Sequence, residues 1–134
     1  MQSHEAWISF AHEDLKAAKG LLKLELFSAV TYHSQQCAEK SLKAYLIFKK
    51  HQVIRTHDLL QLLELCIKFD KGFEKLFDAV NLLNPFSTKF RYPSEHDLPD
   101  LNDAHSTVQE ARKIIKFIAQ KTSPENTGQI NLFD

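Results

Sequence analysis

With 134 residues, the chain can build one domain around a real core and is too short for two. Apolar residues make up 43% and charged residues 25%, and Lys+Arg balance Asp+Glu at 17 each, which excludes a broad basic surface for nucleic acid and leaves only a local patch. Two widely separated cysteines give no disulfide framework or zinc knuckle, and no apolar run marks a signal peptide or membrane span, so a cytoplasmic protein is expected.

From Ser3, a suitable N-cap, apolar positions recur at Trp7, Phe10, Ala11, Leu15, Ala18, Leu21 and Leu22. Glu5, His12, Glu13, Lys16, Lys19 and Lys23 take the other side of this amphipathic helix, which ends near Glu25. A second helix runs from about Ser28 to Lys50. Apolar residues flank its middle stretch, Gln35 to Ala44, whose polar residues do not segregate to one side, so a central helix carrying an ordered polar network is expected. The i,i+4 spacing offers the pairs Gln35–Glu39, Gln36–Lys40 and Glu39–Lys43.

Thr56 or Asp58 can cap a third helix through Leu59, Leu62, Leu63, Leu65, Cys66 and Phe69. A shorter fourth carries Phe73, Leu76, Phe77, Val80 and Leu83 and is stopped by Asn84-Pro85. The fifth starts near Pro99 and continues through Leu101, Ala104, Val108, Ala111, Ile114, Ile115 and Ile118. No period-2 segment competes, so the fold expected is an all-α, up-and-down bundle of about five helices with a long loop, Asn84 to Leu98, before the last. That interval holds two prolines, three aromatics (Phe86, Phe90, Tyr92), two cations (Lys89, Arg91) and His96, a content that argues for function over disorder. Its aromatics could equally plug the open end of the bundle. Residues 1–121 are read as one helical domain and 122–134 as a flexible tail.

Gln35–Ala44, then Thr56-His57-Asp58-Leu59, then Phe90-Arg91-Tyr92-Pro93 occur in the order and approximate spacing of HEPN domains, and the chain resembles that family over roughly residues 5 to 120. The resemblance implies a compact helical bundle, commonly a symmetric homodimer, often working beside a small nucleotidyltransferase of the toxin–antitoxin type. The family's chemical signature is an arginine followed four to six residues later by a histidine, supplied here by Arg91 and His96. In active members, the pairs from two protomers line one cleft and cut RNA without metal. A histidine can take the 2′-hydroxyl proton or protonate the leaving 5′-oxygen, and an arginine can hold the phosphate bidentately.

Tyr92-Pro93 departs from the catalytic pattern, which has a small polar residue after the arginine and a motif that opens a helix. Proline demands extended backbone at Tyr92 and places both motif residues on a loop. Arg-Tyr-Pro is similar to the nucleotide-binding branch of the family, and Leu98 stands where some toxin members carry a modified tyrosine. The function expected is therefore binding of a nucleotide or RNA phosphate in a homodimer cleft by Lys89, Arg91 and His57, with Tyr92 stacking on a base. The alternative is a metal-independent endoribonuclease using Arg91 and His96. A purely structural role, in which Arg91 only pairs with Glu95 or Asp97, stays open beside both.

His57, just inside a helix start, can also serve by satisfying nearby backbone or carboxylate groups. His33 and Cys37 share a helix face without a third ligand, so neither a metal nor a cofactor is expected. Near the terminus, Gln129, Leu132 and Phe133 form a Gln-x-x-Leu-Phe pattern similar to the peptide that docks on the bacterial DNA sliding clamp, a further candidate partner; a tail folded over an apolar groove is the alternative.

Overall fold

A computed structural model describes residues 3–123, so the tail residues Gln129, Leu132 and Phe133 lie outside the described residues. Six α-helices and two 3-10 helices follow one another: α1 (His4–Lys23), α2 (Phe27–Phe48), α3 (Leu59–Phe69), a 3-10 helix (Lys71–Leu76), α4 (Phe77–Leu83), α5 (Pro85–Arg91), a 3-10 turn (Glu95–Asp97) and α6 (Leu101–Thr122). The described residues contain no strand, and none of their helices is long and apolar enough to cross a membrane.

Helix ends follow the polar chemistry of the sequence. Ser3 accepts a hydrogen bond from the Ala6 N–H at 3.1 Å, and Asp58, not Thr56, caps α3 through the Leu60 N–H at 3.0 Å. The last helix starts at Leu101 rather than at Pro99, because Asp100 and Asp103 form a reciprocal capping box. α1 and α2 end sharply: Glu25 and Lys50 adopt φ of 59° and 65°, and the Leu26 and His51 N–H groups reach back to the Leu21 and Leu46 carbonyls.

α2 is the axis of the molecule, in contact with α1, α3, α4, α5 and α6. Small residues let helices approach closely where α1, α2 and α6 meet, in a cluster of Ala11, Leu15, Ala18, Val30, Cys37, Ala104, Val108, Ala111 and Ile115. A larger cluster lies toward α3 and α4, where Leu42, Tyr45, Leu46, Leu62, Leu63, Leu83, Ile114 and Ile118 share one core with Phe73. Phe73 and Leu76 anchor the 3-10 helix, so the fourth helix expected from Phe73 onward becomes a 3-10 segment followed by α4.

The interval before α6 differs most from expectation. Residues 85–91 form a helix, not a loop, because Asn84 keeps α-helical φ and ψ and proline is tolerated in a first turn. Arg91 therefore closes a helix, while Tyr92, with φ −127° and ψ 70°, leaves the helical region ahead of Pro93 but stops short of the extended backbone expected of it.

Asp70 ties the 3-10 helix to α6. Its carboxylate accepts from Lys121 Nζ at 2.6 Å and from the Gly72 N–H at 2.8 Å. The Lys121 hydrogen bond first, and the Gly72 N–H second, hold its carboxyl below the usual range. A depressed native value means that Asp70 contributes stability above the unfolded carboxyl's ordinary value of about 3.9. That contribution is lost as pH falls through the native value. Asp70→Asn should cost within about 1 kcal/mol at pH 7, since the pair is near the surface. The difference from wild type should shrink toward zero in urea melts below pH 3.

Candidate functional site

The polar stretch of α2 forms one connected network. Glu39, 4% exposed, accepts from Lys43 Nζ at 3.0 Å through Oε2. Its other oxygen, Oε1, accepts from Gln36 Nε2 at 3.3 Å. Gln36 Nε2 also donates to Gln35 Oε1 at 2.7 Å, and Gln35 Nε2 donates to the His57 carbonyl at 3.2 Å. Lys40 does not pair with Gln36; it crosses to α1 and donates to Asp14 at 2.6 Å, where His33 Nδ1 lies 2.8 Å from the other carboxylate oxygen. A charged acceptor on a neighbouring helix outcompetes a neutral amide four residues away.

His57 is held from two directions by α2, through its main-chain carbonyl on Gln35 and its ring on Glu39. Its Nδ1 lies 3.0 Å from Glu39 Oε1, and its Nε2 lies 3.2 Å from Arg91 Nη2. Arginine carries only donors, so a hydrogen bond at this contact makes Nε2 the acceptor and leaves the ring proton on Nδ1, facing Glu39. Lys43, Glu39, His57 and Arg91 thus form a chain from the buried axis of the bundle to the surface.

The junction of α4 and α5 supplies the facing wall. Asn84 Oδ1 accepts from the Leu59 N–H at 2.8 Å and its Nδ2 donates to Asp58 at 2.9 Å, tying this junction to the start of α3. Between them lies a polar cleft of about 430 Å³, bordered by His57, Asp58, Asn81, Asn84, Thr88 and Arg91.

Of the residues proposed from sequence, the structure brings His57 and Arg91 together although 34 positions separate them. Lys89, Tyr92 and His96 are not among the described residues bordering this cleft. Lys89 lies over the Phe86 ring, 5.3 Å from its centroid. Tyr92 is 76% exposed, and His96 is exposed on its 3-10 turn, with its main-chain N–H donating to Ser94 Oγ. Phe90 stacks on Tyr32, with centroids 4.2 Å apart. Asn81, Asn84, Thr88 and Glu39 join the site without having been singled out for it. Asn84 reads in sequence as a helix stop, and only its bonds to α3 reveal that it builds the cleft. His33 is engaged with Asp14 and Cys37 is buried, its thiol pushed up to about 12 by desolvation. No group of three or more potential metal ligands converges among the described residues.

The sequence model of the HEPN domain matches residues 4–122. The chain belongs to the HEPN family. This HEPN protein is similar to two solved structures over nearly their whole lengths. One is TT1696 from Thermus thermophilus, at 26% identity and a TM-score of 0.74, covering 90% of this chain and 99% of that one. The other is ST0689, an archaeal HEPN homologue, at 24% identity and a TM-score of 0.76, covering 92% of this chain and 100% of that one, a likeness of fold alone. A candidate toxin of Methanocaldococcus jannaschii, MJ1304, is 48% identical over 52 residues. That match spans 35% of this HEPN chain and about a third (34%) of the relative's length.

Proposed function

We propose that this HEPN domain binds a nucleotide or an RNA phosphate in the cleft at Arg91. The observation that supports this best is the guanidinium at the edge of a polar cleft, oriented by an imidazole that is itself fixed by a buried carboxylate. Such a donor is preorganised for a phosphate oxygen, and the amides and hydroxyl of Asn81, Asn84 and Thr88 suit sugar and base edges. Exposed Tyr92, beside Arg91 in sequence, offers a ring for stacking on a base. The protein acts as a homodimer, in which two copies of the Arg91–His96 segment face one another, and its partner is a nucleotidyltransferase.

A second reading, favoured by the similarity to the candidate toxin MJ1304, is a metal-independent endoribonuclease. There one histidine removes the 2′-hydroxyl proton as that oxygen attacks phosphorus. The histidine of the second protomer then protonates the departing 5′-oxygen, while Arg91 stabilises the charge on the nonbridging oxygens.

Incubation of the pure protein with structured and single-stranded RNA in EDTA separates the two. Binding without cleavage, weakened at least tenfold in Arg91→Ala, supports the binder; tenfold corresponds to about 1.4 kcal/mol. Cleavage lost in both Arg91→Ala and His96→Ala supports the nuclease. Neither retention nor cleavage of nucleotide or RNA would remove both.

A further inference from the structure

His57 occupies an unusual position between two charged groups of opposite sign. Its Nδ1–H is committed to Glu39, and its Nε2 lone pair takes an N–H from Arg91. Both ring nitrogens are thus engaged, although the side chain is half exposed. Glu39 is buried and braced by Lys43 and Gln36, and Gln35 grips the main-chain carbonyl of the same residue. A phosphate oxygen is an acceptor only, so it cannot use an Nε2 that carries a lone pair. The arrangement holds a donor and an acceptor to each other, ahead of any anion.

We infer that His57 is the proton-linked half of an anion clamp. A phosphate oxygen entering the cleft replaces the His57–Arg91 contact, His57 takes one proton from solvent at Nε2, and both side chains then donate to the phosphate. Glu39 is the buried counter-charge that keeps the imidazolium beside the guanidinium, and it acts as a positioning residue through His57. The inference rests on reading the cleft as a phosphate site.

The charges around His57 set the direction. α2 presents Glu39, with Lys43 paired to its far oxygen; the segment before α3 presents Asp58, and α5 presents Arg91. Asn81 and Asn84, on α4 and its junction with α5, are neutral. Protonation in the free protein would set two cations about 3 Å apart and end the Arg91 hydrogen bond, which frees Arg91. An added phosphate charge favours the same protonated form. Both effects tighten binding as pH falls, and imidazoles change charge between about pH 5 and 8.

The test uses the full chain and a fluorescent, single-stranded 2′-O-methyl RNA oligomer without terminal phosphates. Its diester groups keep one charge each throughout, and the 2′-oxygen cannot attack. Kd is read by anisotropy from pH 5.5 to 8.5 at constant ionic strength. The expected result is a Kd that falls with pH by up to tenfold per unit in wild type, the limit for one linked proton. His57→Gln should flatten that dependence. Glu39→Gln should move the rise in affinity to lower pH, whereas a merely structural role would lower affinity equally at every pH. Arg91-dependent binding with the same slope in wild type and His57→Gln, or with no slope at all, would overturn the proton linkage and leave the phosphate site standing. A slope lost in His96→Gln but kept in His57→Gln would assign the proton to His96 and overturn the inference. Absence of Arg91-dependent binding at every pH would instead defeat the reading of the cleft itself, and the clamp with it.

Discussion

Lys43→Met should destabilise the domain by about 3–5 kcal/mol, the cost of removing one partner from a buried ion pair. Lys43 is 7% exposed and its Nζ lies 3.0 Å from Glu39 Oε2, so both charges have left water. Methionine preserves most of the aliphatic stem, so the loss is electrostatic rather than a cavity. What remains is a buried carboxylate with only Gln36 and His57 to satisfy it. Against a usual total of about 5–15 kcal/mol, that loss is large. Lys40→Met supplies the control. Lys40 also pairs with a buried carboxylate, Asp14, but its side chain is 28% exposed and His33 remains as a second partner. That change should cost about 1 kcal/mol or less. Urea unfolding of both variants makes the comparison, and equal losses would mean that the Lys43–Glu39 pair is not electrostatically buried in solution. Removing both charges in Lys43→Met/Glu39→Leu should recover much of the stability, because the desolvation cost disappears with the pair.

The same carboxylate stabilises the axis helix and orients the imidazole of the cleft, so scaffold and site share a residue. Sequence reasoning separates these roles. The absence of Gly and Pro from Gln35–Ala44 and its scattered polar residues identify a network, and the Glu39–Lys43 pair follows from i,i+4 spacing alone. Local spacing cannot rank partners on other helices. Lys40 goes to Asp14, 26 positions away, and Gln36 turns to Gln35 and Glu39. The link from Glu39 to His57 spans 18 positions and the link from His57 to Arg91 spans 34; no periodicity encodes either.

The stretch after α4 was legible in composition but not in conformation. Asn84-Pro85 is a sound stop signal, since proline removes an N–H and restricts the residue before it. Yet Asn84 stays helical, and proline then opens α5. Seven residues are too few for a helical period to announce itself, and α5 depends on burying Phe86 and on stacking Phe90 against Tyr32. The break from helix at Tyr92 was readable because Pro93 disfavours α-helical backbone there, although a ψ of 70° stops short of the extended form. The long helices were readable for the opposite reason: α1 and α6 each repeat their apolar pattern over 20 or more residues, and α2 runs as long without Gly or Pro.

Phe73→Ala should lower stability by about 3–5 kcal/mol through the cavity it leaves. Phe73 is fully buried, with its centroid 4.4 Å from that of Tyr45 and 4.9 Å from that of Phe117, joining the 3-10 helix to α2 and α6 at once. Leu42 and Ile118, in the same core cluster, belong to the long helices α2 and α6 and cannot collapse into the space freely. The 3-10 helix, in contrast, is held mainly by Phe73, Leu76 and the Asp70 contacts. Loss of the ring should therefore loosen this segment first, and with it the start of α4, which carries Asn81 and leads to Asn84. Thermal unfolding measures the first effect, and native-state amide exchange the second. Faster exchange at residues 71–84 than in α1 is the expected pattern. Uniform acceleration across all helices would show that Phe73 supports the whole core at once and that the cleft wall has no separate dependence on it.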